Sequence, residues 1–243
     1  MKARRTVANL ALLMTVYRRG NLTRQLNAII NQKVLPARLI IYQNENHSEI
    51  PVVKIPGVQV EYVFNSGNTK FFGRFAYLLN TTEEYVAVMD DDIIPGKNFV
   101  GSYLKQTMDL KGIVGANGRA GYLNTVLQGH KGPPDVGFRP EPVRVDFVGH
   151  AWFFHRSHLY EMFSVPPLTL DTGEDMHLCF SAYVKSGTPS YVAAQRKRSE
   201  YADTTRNSLA DDSFSSYKKV AAERRQEVEL YFVGLGYTHI GSR

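Results

Sequence analysis

The arrangement of apolar runs along the chain is the feature that most constrains the fold. Polar residues follow each run, and a helical pattern separates the first two. The run at 7–16 is dominated by apolar residues, as expected of a strand buried on both faces of a parallel sheet. This β-α-β order predicts parallel strands with right-handed crossovers, so the polar residues after the strands meet at one rim. We predict strands at 7–16, 39–42, 58–64 and 85–89, a helix that Asn21 caps and Pro36 ends, and a helical segment at 71–79.

The second half of the chain is less regular, but its segments are still those of an α/β domain. The stretch 118–142 is rich in Gly and Pro and is long enough for a functional loop. The 243 residues suffice for one large α/β domain or two small ones. Only Cys179 is present, so no intrachain disulfide can form, and we predict a packed core thiol. We predict a helix at 99–110, strands at 112–116 and 144–155, and a capped helix after Gly173.

The chain is basic, with a formal charge of +6 from 29 basic and 23 acidic residues. Basic clusters of this kind bind nucleic acid, an anionic membrane or a phosphorylated small ligand, and composition does not choose among these. The excess is strongest near the C-terminus, at 196–198, Lys218-Lys219 and Arg224-Arg225.

The N-terminus imitates a secretory signal, because Lys2, Arg4 and Arg5 precede the apolar run. Tyr17 and two arginines then follow in place of a small-residue cleavage site, which favours a buried first strand. No run approaches the ~20 apolar residues of a membrane helix. We therefore expect a cytoplasmic protein with no transmembrane segment, and we leave peripheral membrane contact open.

Three consecutive carboxylates, Asp90, Asp91 and Asp92, follow the predicted strand 85–89 directly. Open α/β sheets bind ligands in the crevice outside the carboxyl ends of their strands. In an extended chain Asp90 and Asp92 point the same way, so together they could hold a hard divalent cation. The alternative is a solvated turn before Pro95, because Asp is a common turn former. Three adjacent like charges repel one another, and a counter-ion would relieve that repulsion, which favours the metal site.

A second acidic pair, Glu174 and Asp175, falls in the first turn of the helix after Gly173. Acids in this position either stabilise the helix or face a cleft. Two acidic groups suit metal-assisted chemistry on phosphate esters or sugar nucleotides. One group holds the cation that neutralises a diphosphate leaving group, and the other positions or deprotonates the attacking hydroxyl. Basic residues near the C-terminus could share the charge of the leaving group.

The order of these motifs resembles a GT-A glycosyltransferase with its DXD motif. The resemblance is carried by Tyr17-Arg18-Arg19 after the first strand, by Asp90-Asp91-Asp92 and by Gly173-Glu174-Asp175. Stretches at 68–75, 88–93, 145–156 and 173–176 are similar to the exostosin-type glycosyltransferase domain. The resemblance implies a single α/β GT-A (Rossmann-like) domain, with a mostly parallel sheet flanked by helices and a small antiparallel acceptor-side element. It divides the chain into a nucleotide-sugar-binding half at 1–98, an acceptor-binding half at 99–195 and a basic C-terminal loop and helix at 196–243.

The activity implied is metal-dependent transfer of a hexose or pentose from a nucleotide-sugar donor, a UDP-sugar, to a hydroxyl of a glycan or glycoprotein acceptor. The resemblance implies that Asp92, together with Asp90, binds Mn²⁺ or Mg²⁺. It also implies a catalytic carboxylate, Asp175, beside the anomeric carbon, with Glu174 next to it for donor or acceptor hydroxyls. The implied nucleotide-sugar contacts are Tyr17, Arg19 and Asn44 for base and ribose, Asp90 and Asp91 for ribose or sugar, Arg74 for phosphate or sugar, and Arg224 for the pyrophosphate.

The chain also departs from the exostosin pattern. Val220 stands where those enzymes carry a histidine, and their cysteine pairs are missing, so a heparan-type substrate is not supported. Whether the anomeric configuration is retained or inverted stays open. His150, His177 and His239 are alternative metal ligands, and Trp152 either offers its ring to a sugar or packs in the core.

Two other functions compete with glycosyl transfer. A nucleotidyltransferase would also combine acids, metal and nucleotide, but no Gly-rich basic loop follows the first strand. A nucleic-acid or anion binder would interleave aromatic with basic residues on one sheet face. Most aromatic residues here lie in apolar runs instead, so we expect no nucleic-acid partner.

Overall fold

A computed structural model describes residues 5–120, 140–197, 200 and 222–240. Strands and helices alternate through the first half, as predicted. Much of the Gly- and Pro-rich stretch at 118–142 and most of the basic segment after 196 lie outside the described residues. The strands are β1 (Arg5–Val16), β2 (Val34–Gln43), β3 (Gln59–Phe64), β4 (Tyr85–Met89), β5 (Ile113–Arg119), β6 (Val143–Val145), β7 (Phe147–His155) and β8 (Ser190–Val192). The helices are α1 (Leu22–Ile30), α2 (Gly73–Tyr77), a 3₁₀ turn (Leu78–Asn80), α3 (Phe99–Leu110), α4 (Ser157–Ser164), α5 (Glu174–Ser186) and α6 (Ala222–Gly234).

Within the described residues the strands form one sheet in the order β3-β2-β1-β4-β7-β5-β8-β6. The first half of the sheet is parallel: β1 lies between β2 and β4, with Leu12 opposite Leu39 on one side and Ala87 on the other. β3 extends this half as a further parallel strand beside β2. The predicted parallel strands are therefore confirmed, and their carboxyl ends share one rim.

Strand β7 runs antiparallel to β4 and β5 and lies between them. Its register pairs Met89 with Ala151, so the start of β7 lies beside the carboxyl end of β4. The prediction of one strand at 144–155 is wrong, because the chain leaves β6 and begins β7 around Asp146. The buried Asp146 carboxylate accepts hydrogen bonds from Tyr237 Oη (2.6 Å) and Ile240 N (2.9 Å), which ties this break to the C-terminal segment.

The prediction that Pro36 ends the first helix is also wrong. Helix α1 ends at Ile30, and Pro36 lies inside β2, opposite Val7. The pairing of β1 with β2 is irregular between Val7 and Ala11, and such irregularities accommodate a residue that has no N–H to donate. Asn21 is the N-cap residue as predicted, but its side chain makes no capping hydrogen bond.

Two apolar layers cover the faces of the sheet, and β7 contributes alternately to both. Trp152 points to the layer that contains Phe75, whereas Phe153 points to the opposite layer. Trp152 is only 1% exposed and its indole N–H donates to the Val148 carbonyl (2.7 Å), so it is a core residue and not a sugar platform. Cys179 is a buried free thiol, as predicted, and burial raises its pKa to about 12.

No helix within the described part of the chain is long and apolar enough to cross a membrane.

Candidate functional site

The polar residues that follow β1, β2 and β4 meet at the carboxyl rim of the parallel half-sheet. Asn44 N donates to the Val16 carbonyl (3.0 Å), which joins the ends of β2 and β1. Asp90 N donates to the His150 carbonyl (3.0 Å), which joins the end of β4 to the start of β7. The rim predicted from the sequence is therefore present, and His150 belongs to it as well.

The three acids do not continue the strand. β4 ends at Met89, and Asp91 and Asp92 lie in a turn, so the expectation of an extended chain with Asp90 and Asp92 on one side is wrong. Backbone carbonyls of this turn are held by amide side chains of α1 and its cap. Gln25 Nε2 donates to the carbonyls of Asp90 (2.8 Å) and Ile93 (3.0 Å). Asn21 Nδ2 donates to the carbonyl of Asp91 (3.1 Å).

Arg74 joins the two acidic motifs. Its guanidinium, which lies on α2 and is buried, donates through Nη1 to Asp90 Oδ1 and through Nη2 to Glu174 Oε1 (3.0 Å). Thr15 Oγ1 is a further acceptor at 3.3 Å. Burial opposes the charge of Arg74, but Asp90 and Glu174 outweigh burial and raise its pKa. The structure thus brings together two acidic motifs that are more than eighty residues apart in sequence.

Arg19 serves the other two acids of the turn. It donates to Asp91 Oδ1, and its Nη1 lies 3.8 Å from Asp92 Oδ2. Burial raises the pKa of Asp91 to about 7, with Asp92 and Asp90 adding to the rise and Arg19 opposing it. Burial and then the charge of Asp90 raise the pKa of Asp92 to about 7 as well. One arginine is therefore too little to neutralise this pair.

Helix α5 brings the second acidic pair to the rim. It begins after Gly173, whose φ of +77° favours glycine and whose Cβ, if present, would lie 3.1 Å from Val228 of α6. Asp175 Oδ1 accepts the backbone N–H of Met176 (2.8 Å). Burial, and then the neighbouring Asp175, raise the pKa of Glu174 to about 7, against the effect of Arg74.

An arginine of α6 completes the group, but it is not the predicted one. Arg224 has a side chain that is 60% exposed and pairs with Glu227 (2.9 Å), away from the acids. Arg225 Nη1 instead lies 3.5 Å from Asp175 Oδ2. The helical period does not distinguish the two, because the buried Val228 lies three residues after Arg225 and four after Arg224, and both spacings share a helix face.

The acids outnumber the cations around this rim. In the ion pairs of the described residues, carboxylates outnumber guanidinium groups. The site therefore carries a surplus of negative charge, and most of that charge is buried. Burial is the largest cause of the raised carboxyl pKa values, and the neighbouring carboxylates add to it. The carboxylates are Asp90, Asp91, Asp92, Glu174 and Asp175, and the guanidinium groups are those of Arg19, Arg74 and Arg225.

Tyr17 and Asn44, predicted to contact base and ribose, are joined through Asn68. Asn44 Nδ2 donates to Asn68 Oδ1 (3.0 Å), and Asn68 Nδ2 donates to Tyr17 Oη (3.0 Å). Asn44 Oδ1 also accepts the backbone N–H of Thr69 (2.8 Å). The loops after β1, β2 and β3 are thereby fixed as one wall beside the acids.

Several residues along the rim have positive φ values. Arg18, Glu45, Lys70 and His150 have φ values of 57°, 68°, 56° and 66°, which are uncommon for residues other than glycine. Such conformations cost of order 1–3 kcal/mol each and persist where the surrounding structure over-determines them, often at ligand sites. The strain is a second indication, independent of the charges, that this rim is built for binding.

The donor set at Asp92 fits a divalent cation. Its buried Oδ1 has no hydrogen-bond partner among the described residues, and neither has the buried His150 Nδ1, which is 4.0 Å away. Burial lowers the pKa of His150, so the ring is neutral at neutral pH. No group of three His, Cys, Asp or Glu side chains in the described ranges could hold a metal ion by itself. Mg²⁺-type ions commonly take one or two protein ligands and complete their shell with substrate phosphates and water.

The other two candidate histidines are engaged elsewhere. His177 Nε2 lies 2.9 Å from the Met162 carbonyl and 3.0 Å from the Val165 carbonyl in the core. His239 Nε2 pairs with the buried Glu229 (3.0 Å). Both rings therefore have structural partners.

Comparison with solved structures shows a shared fold. The chain is similar to a crystal structure of S. aureus TarS, with a TM-score of 0.57 and 13% identity over 95% of this chain and 44% of TarS. A crystal structure of S. aureus TarS 1–349 gives a TM-score of 0.51 and 12% identity over 76% of this chain and 60% of that one. The chain thus spans less than two thirds of either structure. The predicted fold class, an α/β Rossmann-like domain with a mostly parallel sheet flanked by helices, is confirmed.

Comparison with protein-family models finds no match, and a search of curated proteins finds no relative.

Proposed function

We propose that the protein is a metal-dependent glycosyltransferase that transfers a sugar from a UDP-sugar to a hydroxyl of a glycan or glycoprotein acceptor. The observation that carries the proposal is the rim where Arg74 joins Asp90 to Glu174, because it unites a strand-end acid turn with a helix-start acid pair. The likeness in fold to TarS, a GT-A-type glycosyltransferase, supports the same class of reaction.

The cation would be Mn²⁺ or Mg²⁺, held by Asp92. When bound, it supplies positive charge against the diphosphate leaving group. Asp90 is less available as a ligand, because its Oδ1 accepts from Arg74. Asp90 and Asp91 are instead assigned to hydroxyls of the ribose or the sugar, with Arg74 and Arg19 setting their orientation.

The remaining residues bind the donor and move a proton. Tyr17 and Asn44 form the wall for base and ribose. Asp175 is assigned as the base that accepts the proton of the attacking hydroxyl, with Glu174 positioning donor or acceptor hydroxyls. Arg225, rather than Arg224, is assigned to the pyrophosphate, because its guanidinium already lies beside Asp175.

The proposal is tested by titrating UDP into the protein by calorimetry with and without Mn²⁺, at pH 8. At that pH the carboxyl groups whose pKa values are raised to about 7 are mostly ionised. We expect Mn²⁺ to strengthen UDP binding in the wild type and to have no effect in Asp92→Ala. Asp109→Ala is the matched control, since this exposed residue pairs with Lys105 on α3, away from the rim, and it should behave as wild type.

Turnover is tested with a panel of UDP- and GDP-sugars, with metal-dependent release of the nucleoside diphosphate as the measurement. We expect Asp175→Asn to lose turnover while it keeps UDP binding. If Mn²⁺ leaves UDP affinity unchanged and no sugar nucleotide is hydrolysed or transferred, the proposed function is wrong. Release of pyrophosphate from a nucleoside triphosphate and a sugar phosphate would identify a nucleotidyltransferase instead.

A further inference from the structure

His150 occupies a special place on the rim. It lies at the fourth position of β7, where its carbonyl accepts the N–H of Asp90 (3.0 Å) and so binds β7 to the start of the acid turn. Its φ of 66° is uncommon for a residue with a side chain, although His, like Asn and Asp, adopts positive φ more often than most residues. Such conformations cluster at ligand sites.

The ring of His150 is directed at Asp92. Nδ1 lies 4.0 Å from Asp92 Oδ1, which is too long for a hydrogen bond. Both atoms are buried, and within the described ranges neither has a hydrogen-bond partner. Burying a polar atom without a partner is costly, so two such atoms that face each other are placed to share one ligand.

A divalent cation fits between these atoms. Bonds from imidazole nitrogen or carboxylate oxygen to an ion such as Zn²⁺ are about 2.0–2.2 Å long, so one ion can reach two donors 4.0 Å apart. The other face of the carboxylate is already occupied, because Asp92 Oδ2 is turned towards Arg19 (3.8 Å). The open oxygen is the one that faces His150.

We propose that His150 Nδ1 and Asp92 Oδ1 bind the same divalent cation and that diphosphate oxygens and water complete its coordination. The inference rests on the proposed function, because the phosphates come from the sugar nucleotide. The cation would then have one nitrogen ligand, whereas the three aspartates alone would offer it only oxygen ligands. Imidazole favours first-row transition metals over Mg²⁺, which prefers oxygen and ideal octahedral geometry. The site should therefore prefer Mn²⁺, and Co²⁺ still more, over Mg²⁺.

The test is pulsed electron paramagnetic resonance of Mn²⁺ bound to the protein with UDP. A directly bound imidazole nitrogen gives a ¹⁴N modulation of the Mn²⁺ echo that phosphate, carboxylate and water do not give. We expect this modulation in the wild type and its loss in His150→Asn, with Mn²⁺ affinity falling at least tenfold. Loss of a residue that only hydrogen-bonds to a metal ligand typically lowers metal affinity about 10–100-fold. Loss of the ligand itself should lower the affinity by at least as much.

Two variants make the result specific. His150→Asn is chosen because Asn tolerates positive φ, so the variant should fold, and its circular dichroism and unfolding midpoint check this. His155→Asn is the matched control, because His155 lies at the far end of β7, exposed and bonded to Ser157 (2.8 Å). It should keep both the nitrogen modulation and the affinity of the wild type.

The outcomes separate this inference from the proposed function. Mn²⁺ that binds with UDP but shows no ¹⁴N modulation, with affinity unchanged in His150→Asn, overturns the histidine ligand and leaves the glycosyltransferase standing. Sugar-nucleotide turnover that persists in a chelator, with no Mn²⁺ bound, overturns the ligand and the metal dependence but not the transferase. Nitrogen-bound Mn²⁺ without any sugar-nucleotide turnover supports the ligand and refutes the proposed function.

Discussion

Replacement of Gln25 by Met tests how the acid turn is held. Gln25 is 1% exposed, and its amide N–H groups reach the carbonyls of Asp90 (2.8 Å) and Ile93 (3.0 Å). Met has a similar length and volume but no donor, so both carbonyls lose their amide partner without leaving a cavity. The Asp90 carbonyl keeps a longer bond from the N–H of Ile93 (3.4 Å).

The expected cost follows from these two acceptors. A buried group left unsatisfied costs about 1–3 kcal/mol, so with the partial compensation at Asp90 we expect a loss of about 2–4 kcal/mol in the free energy of unfolding. Urea unfolding measures it as a lower midpoint with an unchanged slope. Because the turn carries Asp92, the affinity for Mn²⁺ with UDP should also fall.

The control is Asn80→Ala, which removes an exposed amide hydrogen bond to the Tyr77 carbonyl (3.0 Å). We expect it to change the free energy of unfolding by no more than about 0.5 kcal/mol, as is usual at surfaces. If Gln25→Met were as stable as this control, the amide of Gln25 would not be holding the turn.

Further predictions concern the C-terminal segment and the core. Arg225→Ala should lower sugar-nucleotide turnover more than tenfold and Arg224→Ala less than twofold, because only Arg225 lies beside Asp175. For Asp146, burial would raise the pKa, but the nearby His239 ring (Nδ1 3.5 Å from Oδ2) and the hydrogen bonds from Tyr237 and the N–H of Ile240 outweigh burial and lower it. The carboxylate therefore stabilises the fold above its unfolded pKa of about 3.9. Asp146→Asn should lose about 1–3 kcal/mol at pH 7, and its deficit relative to wild type should shrink as the pH falls below 4, as measured by urea unfolding. Cys179, with a pKa raised to about 12, should react with a thiol reagent at pH 8 only after unfolding.

The parallel half of the sheet was predictable because its signals are local. A strand buried on both faces is apolar along its length, and polar residues begin where it reaches the rim. Strands β1 and β4 therefore appear in the sequence close to their observed bounds. Pro36 misled the prediction because a proline normally marks an end, whereas here the irregular pairing of β1 accommodates it inside β2.

The candidate site was predictable in its residue types but not in its pairings. Both acidic motifs were visible in the sequence, because one follows an apolar strand pattern directly and the other follows Gly173 at a predicted helix start. The structure brings the two motifs together. The link between them is Arg74, and nothing local indicates that one buried guanidinium reaches both Asp90 and Glu174. The turn at Asp92 depends in the same way on Gln25, from a different helix. Side-chain contacts between residues far apart in the sequence produce no periodic pattern in that sequence, so they could not be predicted from it.

The placement of β7 between β4 and β5 has a consequence for synthesis of the chain. Until residues 147–155 emerge from the ribosome, the edge of β4 that β7 covers has no partner from this sheet. An uncovered edge of apolar residues invites pairing between nascent molecules. The carboxylates at 90–92 stand at the end of that edge, and their mutual repulsion between two copies would oppose such aggregation before the strand order is complete.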